Sequence, residues 1–163
     1  MYKRFYPDFR FGSVEEITAD FFAENRIGFA VLDIDNTLIS YKTARADGRA
    51  RRFLDMLTEN GVKYAFVSNN NRERVAIFAK DFDAPFVSRA AKPFAYGIKK
   101  AMKKIGAKRG ETVLIGDQVF TDVYAGKRAG IKTVMVNPID AKETPFFNVK
   151  RYFERIVLKD YKG

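Results

Sequence analysis

The chain has 163 residues, with 30 Lys and Arg against 20 Asp and Glu, and no Cys, His or Trp. That length suits one domain able to bury roughly 70% of its unfolded surface, and 47% hydrophobic with 15% aromatic residues supply a packed core. The missing Cys and His exclude disulfides, a thiolate nucleophile, Cys-based zinc or iron–sulfur sites, zinc-protease motifs, phosphohistidine chemistry and a Ser–His–Asp triad.

An aromatic and basic arm over residues 1–12 (Tyr2, Phe5, Tyr6, Phe9 and Phe11 among them) opens the chain and lacks the apolar core of a signal peptide. Apolar runs then alternate with amphipathic stretches. A helix over Thr18–Asn25 precedes a strand over Phe29–Asp33, and a helix over Asp47–Asn60 precedes a strand over Lys63–Ser68. A helix over Asn71–Phe82, a short strand over Pro85–Val87 and a helix over Pro93–Ile105 follow. A strand over Thr112–Asp117, a helix over Thr121–Ala129 and a strand over Lys132–Asn137 complete the alternation. Gly61, Gly106 and Gly130 stand where helix C-terminal caps are expected. A last amphipathic helix is expected over residues 144–160, with Thr144 as N-cap and Pro145 at the first helical position. Phe146, Val149, Phe153, Ile156 and Val157 form its apolar stripe, with Lys150, Arg151, Arg155 and Lys159 around it. Near-continuous apolar strands alternating with helices predict a doubly wound α/β fold with a mainly parallel central sheet, in one domain spanning 1–163.

In such sheets, sites form beyond the carboxyl ends of the strands. Four polar segments meet that condition. Asp33-Ile34-Asp35-Asn36-Thr37-Leu38 ends the first run. Two carboxylates one residue apart can divide labour there, one attacking phosphorus and the other exchanging protons with leaving group and water. Asn36 and Thr37 are placed to hold phosphoryl oxygens. Ser68-Asn69-Asn70 opens the helix after KYAFV, where a hydroxyl and free backbone amides suit a phosphate. Lys92, before Pro93, can neutralise an aspartate nucleophile and the phosphoryl group it attacks. Gly116-Asp117 with Asp122 adds two carboxylates able to join Asp33 around Mg²⁺, which prefers oxygen ligands. Each segment alone is also an ordinary cap or turn; the conjunction is what points to phosphoryl transfer.

This set resembles the haloacid dehalogenase (HAD) superfamily of Mg²⁺-dependent phosphotransferases. The segments PDFRFGSVEEIT, LDIDNTL, FVSNN and GDQVFTDVYAGKRAG look like the YqeG family of HAD class III phosphatases, which is related to the mitochondrial phosphatidylglycerophosphate phosphatases. The resemblance runs from about residue 4 to 160. It implies a three-layer α/β/α Rossmann-like fold. Asp33 is then the nucleophile that forms an aspartyl-phosphate, and Asp35 the acid that protonates the leaving alkoxide and afterwards activates water. The side chains of Asp33 and Asp117 and the carbonyl of Asp35 are implied as Mg²⁺ ligands, with Asp122 either behind them, not touching the ion, or an alternative ligand. Ser68 and Lys92 hold phosphoryl oxygens and balance charge, and Asn69 lies beside them.

Spacing bears on substrate. Positions 39–67 separate Leu38 from Ser68, and positions 69–91 separate Ser68 from Lys92. Neither gap holds an inserted cap domain, so the site is expected to be open unless another subunit covers it. An open site suits a phosphate on a lipid head group, with phosphatidylglycerophosphate favoured by the resemblance; a sugar phosphate or nucleic-acid end is the alternative. The net charge of +10 predicts attraction to nucleic acid, acidic lipid surfaces or phosphorylated small molecules. A non-catalytic polyanion-binding protein on the same fold would carry that charge too, but it has no need of four converging carboxylates, and no nucleic-acid-reading motif is present. The expected setting is cytoplasmic, with peripheral contact at an anionic membrane.

Overall fold

The computed structural model describes residues 2–140, 145–159 and 161, with the side chains of 145–147 left aside. The expected cap Thr144 and the Phe146 side chain lie outside the described residues. Strands β1 (Phe9–Phe11), β2 (Phe29–Leu32), β3 (Lys63–Val67), β4 (Phe86–Val87), β5 (Thr112–Gly116) and β6 (Lys132–Val136) form one sheet in the order β1-β6-β5-β2-β3-β4. Every pairing is parallel. Strands β2, β3, β5 and β6 each end one residue before the expected end, so that Asp33, Ser68 and Asp117 stand just past the ladder, while β4 ends at Val87 as expected.

Helices α1 (Ala19–Glu24), α2 (Gly48–Glu59) and α3 (Arg72–Ala79) cover one face, and α4 (Tyr96–Lys104), α5 (Tyr124–Ala129) and α6 (Pro145–Leu158) the other. The pleat sorts β2 accordingly. Ala30 and Leu32 enter the core with Phe22, Leu54 and Phe78, whereas Val31 enters the core with Ile98, Met102 and Ala125. Both faces are therefore dry, which is why these strands read as apolar runs without alternation. The result is a three-layer α/β/α fold.

Local chemistry sets the helix ends. Asp47 and Asn71 accept the backbone N–H groups of Ala50 and Arg74, each at 2.9 Å, as N-caps of α2 and α3. Gly130 takes φ +73° just past α5, a left-handed value that a Cβ would disfavour.

Four elements differ from expectation. Residues 9–11 of the arm form edge strand β1, fastened by Asp8, whose carboxylate accepts from Thr133 N at 2.7 Å and Oγ1 at 2.9 Å. Pro93 does not start α4, which begins at Tyr96, and the helix expected from Thr121 is preceded by a wider π-turn over Val119–Val123. The expected stripe of α6 splits: Val157 is buried against Val119, Val123 and Met135, while Val149, Phe153 and Ile156 face outward.

Candidate active site

The chain runs outward from β2 to β3 and β4, then crosses to β5 and β6 on the other side. The strand order thus reverses between β2 and β5, and the crevice beyond their carboxyl ends is where such sheets hold ligands. Asp33 and Asp117 end those two strands. A cavity of about 370 Å³ opens there, lined by Asp33, Asp35, Ser68, Asn69, Lys92 and Thr121 among others.

The loop after β2 closes on itself. Leu38 and Ile39 donate backbone N–H groups to the Ile34 carbonyl at 2.9 and 3.2 Å, and Asn36 N donates to Ile39 O at 2.7 Å. Asn36 occupies the left-handed region at φ +64°, which Asn tolerates better than most residues. This tight turn sends the two carboxylates apart. Asp33 is buried toward β5, whereas Asp35 meets α3, where Arg74 donates through Nε at 2.8 Å and NH2 at 2.6 Å to Oδ1. The same guanidinium reaches the carbonyls of Tyr41 and Thr43, both at 2.7 Å. Ser68 Oγ and Asn70 Nδ2 donate to the other Asp35 oxygen at 3.4 and 3.3 Å.

Asp33, Asp117 and Asp122 converge, each offering an oxygen within 4.8 Å of the others. The buried Lys92 ammonium joins them, donating to Asp33 Oδ1 at 2.5 Å and Asp122 Oδ1 at 2.6 Å. Lys92 is aimed by Asn69, whose amide accepts from Lys92 N at 2.8 Å and donates to Lys92 O at 3.0 Å. The close approach of Asp122 to β5 requires Gly116, since a Cβ there would lie 2.4 Å from Asp122 Cγ. Thr37 donates its hydroxyl to Asp33 Oδ2 at 2.9 Å and to Asp117 Oδ1 at 3.3 Å.

Burial dominates the electrostatics. Desolvation pushes Asp33 well above the ordinary carboxylate range; Lys92 pulls it down, and the Asp122 and Asp117 charges push it up again. Asp117 is pushed up to about 7 by desolvation and Asp122, against the opposing pull of Arg151. Burial alone would lower Lys92, but Asp122 and Asp33 outweigh it and hold the ammonium above its usual value. Three crowded carboxylates with one ammonium among them are an excess of hard oxygen donors. This donor set fits a hard divalent cation, which would relieve the repulsion and keep all three ionised.

The structure brings Asp33, Asp35, Ser68, Asn69 and Lys92 to the cavity and sets Asp117 and Asp122 beside it. It gives two expected phosphate-holding side chains other partners. Asn36 accepts the backbone N–H of Asp140 at 3.2 Å, and Thr37 orients Asp33 and Asp117. Sequence reasoning missed Arg74, Thr121 and the inner face of α6. Thr121 Oγ1 is buried with no hydrogen-bond partner among the described residues while its residue lines the cavity, a donor left for a ligand. From α6, Arg151 pairs with Asp117 Oδ2 and donates to its carbonyl at 2.7 Å; Glu154 accepts from Arg151 and from Val119 N, both at 2.9 Å. The two carboxylates one residue apart at positions 33 and 35 carried a visible signal, but Arg74 and Arg151 are single basic residues among 30 and carried none.

The cavity thus brings together a buried aspartate at a strand end, a second carboxylate two residues on, a buried and paired Lys, and two more aspartates beside them. The haloacid dehalogenase-like hydrolase family model matches residues 39–136, and the chain belongs to that family. It is a phosphatase. The probable phosphatase YqeG of Bacillus subtilis is 32% identical over 163 residues, 99% of this chain and 95% of that protein. A segment of 56 residues is 36% identical to phosphatidylglycerophosphate phosphatase 1 of Arabidopsis thaliana, covering 34% of this chain and 16% of that one. Among solved structures, a HAD-superfamily hydrolase from Ehrlichia chaffeensis superposes with a TM-score of 0.59 at 16% identity, over 80% of this chain and 98% of that chain, which supports the fold.

Proposed function

We propose that the protein is a Mg²⁺-dependent phosphomonoester hydrolase working through an aspartyl-phosphate at Asp33, with phosphatidylglycerophosphate as favoured substrate. The observation that carries this reading is the contrast between the surroundings of Asp33 and Asp35. Asp33 is buried, paired with Lys92 and clustered with Asp117 and Asp122, while Asp35 lies in the same cavity held by Arg74, Ser68 and Asn70.

Asp33, Asp117 and Asp122 would hold the metal, with the Asp35 carbonyl completing the protein ligands. When bound, the cation supplies charge neutralisation for the phosphate dianion and lets an anionic carboxylate approach it. Asp33 attacks phosphorus through one carboxylate oxygen, and the bond from phosphorus to the leaving oxygen breaks. Asp35 gives its proton to that departing alkoxide. In the second half Asp35, now a carboxylate, takes a proton from water as the water oxygen attacks phosphorus; the bond to Asp33 breaks and inorganic phosphate forms. Lys92 holds a positive charge beside Asp33 throughout, and Ser68, Asn69 and Thr121 supply polar contacts around the phosphoryl group.

The lipid reading rests on three supports: gaps at 39–67 and 69–91 too short for an inserted cap over the cavity, the likeness to the Arabidopsis phosphatase, and the net charge of +10. Phosphate release from phosphatidylglycerophosphate in mixed micelles, compared with sugar phosphates and nucleotides, tests the substrate. The lipid should be preferred, and equal or better turnover of soluble phosphates removes that substrate while leaving the chemistry. Asp33→Asn should lower turnover by roughly four orders of magnitude or more, as expected when a nucleophile is removed. Retained activity in that variant would refute the aspartyl-phosphate route.

A further inference from the structure

Helix α6 has two faces with different tasks. Lys150, Arg151, Glu154 and Val157 turn inward, to Gln118, Asp117, Val119 N and the small core around Met135. Val149, Tyr152, Phe153 and Ile156 recur at the three- and four-residue spacing of a single stripe on the other side. Their exposures are 57%, 56%, 52% and 45%. Tyr152 and Phe153 meet edge to face at 5.7 Å, so the stripe has a contiguous aromatic centre. Arg155 and Lys159, both exposed, border it. The described residues leave this stripe uncovered, and an apolar patch bordered by charge marks an interaction surface.

We propose that the outward stripe of α6 docks on an anionic lipid bilayer, with the helix lying in the plane of the head groups. Charge complementarity selects this occupant. The chain carries +10, and Arg155 and Lys159 flank the stripe, so an anionic surface is attracted both at long range and at contact. A second copy would bring two such chains, and two such flanking pairs, against each other. A nucleic acid would match the charge but offers no apolar phase for Val149 and Ile156. A lipid interface supplies both, which is the combination that holds an amphipathic basic helix. The 14 residues of α6 reach roughly 21 Å, short of a membrane span but ample for lying on the surface.

Docking has a consequence for the catalytic centre. Lys150 of the same helix lines the cavity with Asp33 and Asp35. A bilayer against the outer face of α6 lies roughly one helix diameter, about 10–12 Å, from that inner wall. The purpose of the docking rests on the reading of a lipid-borne phosphate, but the docking is measured with neither substrate nor metal, so the two stand or fall separately.

The chain has no Trp, so Phe153→Trp gives a single indole reporter. With vesicles of equal parts phosphatidylcholine and phosphatidylglycerol its emission should shift to the blue, and the shift should weaken as salt is raised. Pure phosphatidylcholine vesicles should produce a much smaller shift, and Ile77→Trp on α3 none. In the chain with its own residues elsewhere, Tyr152→Ser with Phe153→Ser should reduce co-sedimentation with the anionic vesicles at least ~tenfold, since two apolar side chains no longer leave water. That double variant should keep its hydrolysis of a soluble aryl phosphate, which separates lost docking from misfolding. An unshifted emission with anionic vesicles overturns the proposal. So does a shift that appears without lipid and grows with protein concentration, which assigns the stripe to a second copy, or one produced by duplex DNA and not by vesicles.

Discussion

Thr37 is a small side chain that joins two of the carboxylates at the centre. Its hydroxyl spans Asp33 and Asp117, the ends of the two strands between which the sheet order reverses. It is buried, so its methyl contributes packing and its hydroxyl contributes orientation. Thr37→Val keeps the shape and removes the donor. Turnover should fall by about 10- to 100-fold, the range for residues that orient metal-ligating groups, while the melting temperature changes little. Steady-state kinetics beside a thermal melt checks this, and unaltered turnover would remove Thr37 from the positioning role. Asn69 acts similarly on Lys92, by clamping both backbone groups rather than by touching the ammonium.

At the scale of elements, α6 ties the C-terminal segment to the loop after β5. Glu154 is buried, and burial raises its carboxyl above the usual range against the pull of Arg151. It nevertheless has two donors to satisfy it, Val119 N and Arg151 NH1. Glu154→Ala leaves the Val119 amide and part of the Arg151 guanidinium without that partner. Because Arg151 keeps 19% of its side chain exposed, the cost should be about 3 kcal/mol, the low end for a broken buried pair. Urea unfolding measures it, and an unchanged midpoint would show that α6 is not held by this contact. The central strands and the residues at their ends were legible in the sequence because burial on two faces writes itself as apolar runs, and because polar residues must wait until the ladder ends. Strand β1 was not legible, since three residues of Phe-Arg-Phe are too few to display a period. The inward face of α6 was not legible either. Its contacts depend on Arg151 and Glu154 meeting residues more than thirty positions away, and helical spacing alone groups the buried Val157 with the exposed Val149, Phe153 and Ile156.

For the whole molecule, the sheet gathers acidic groups at one end of a strongly basic chain, and that arrangement links stability to protons and metal. Burial and the Asp122 charge push the Asp117 carboxyl up to about 7 in the metal-free fold, against 3.8 for an aspartate free of its surroundings. Between those values the folded form binds more protons than the unfolded chain, so this contribution is fully present below about pH 4 and is lost as pH rises through 7. Asp33, raised in the same direction, extends the trend. The metal-free protein should therefore lose this part of its stability as pH rises from 4 to 7, and added Mg²⁺ should restore it most strongly at the high-pH end, because metal binds the deprotonated carboxylates. Thermal melts across that window with and without Mg²⁺ test the sign; a Mg²⁺ effect that is largest at low pH would contradict it.

The central claim is that Asp33 carries the phosphoryl group during turnover. Rapid quenching of the enzyme with substrate and Mg²⁺, followed by borohydride reduction and mass spectrometry of the peptides, reads this directly. An acyl phosphate at Asp33 is reduced to the corresponding alcohol, so the peptide containing Asp33 should carry the mass change of homoserine at that position, dependent on substrate and metal. A modification at another carboxylate, or none during steady turnover, would contradict the account.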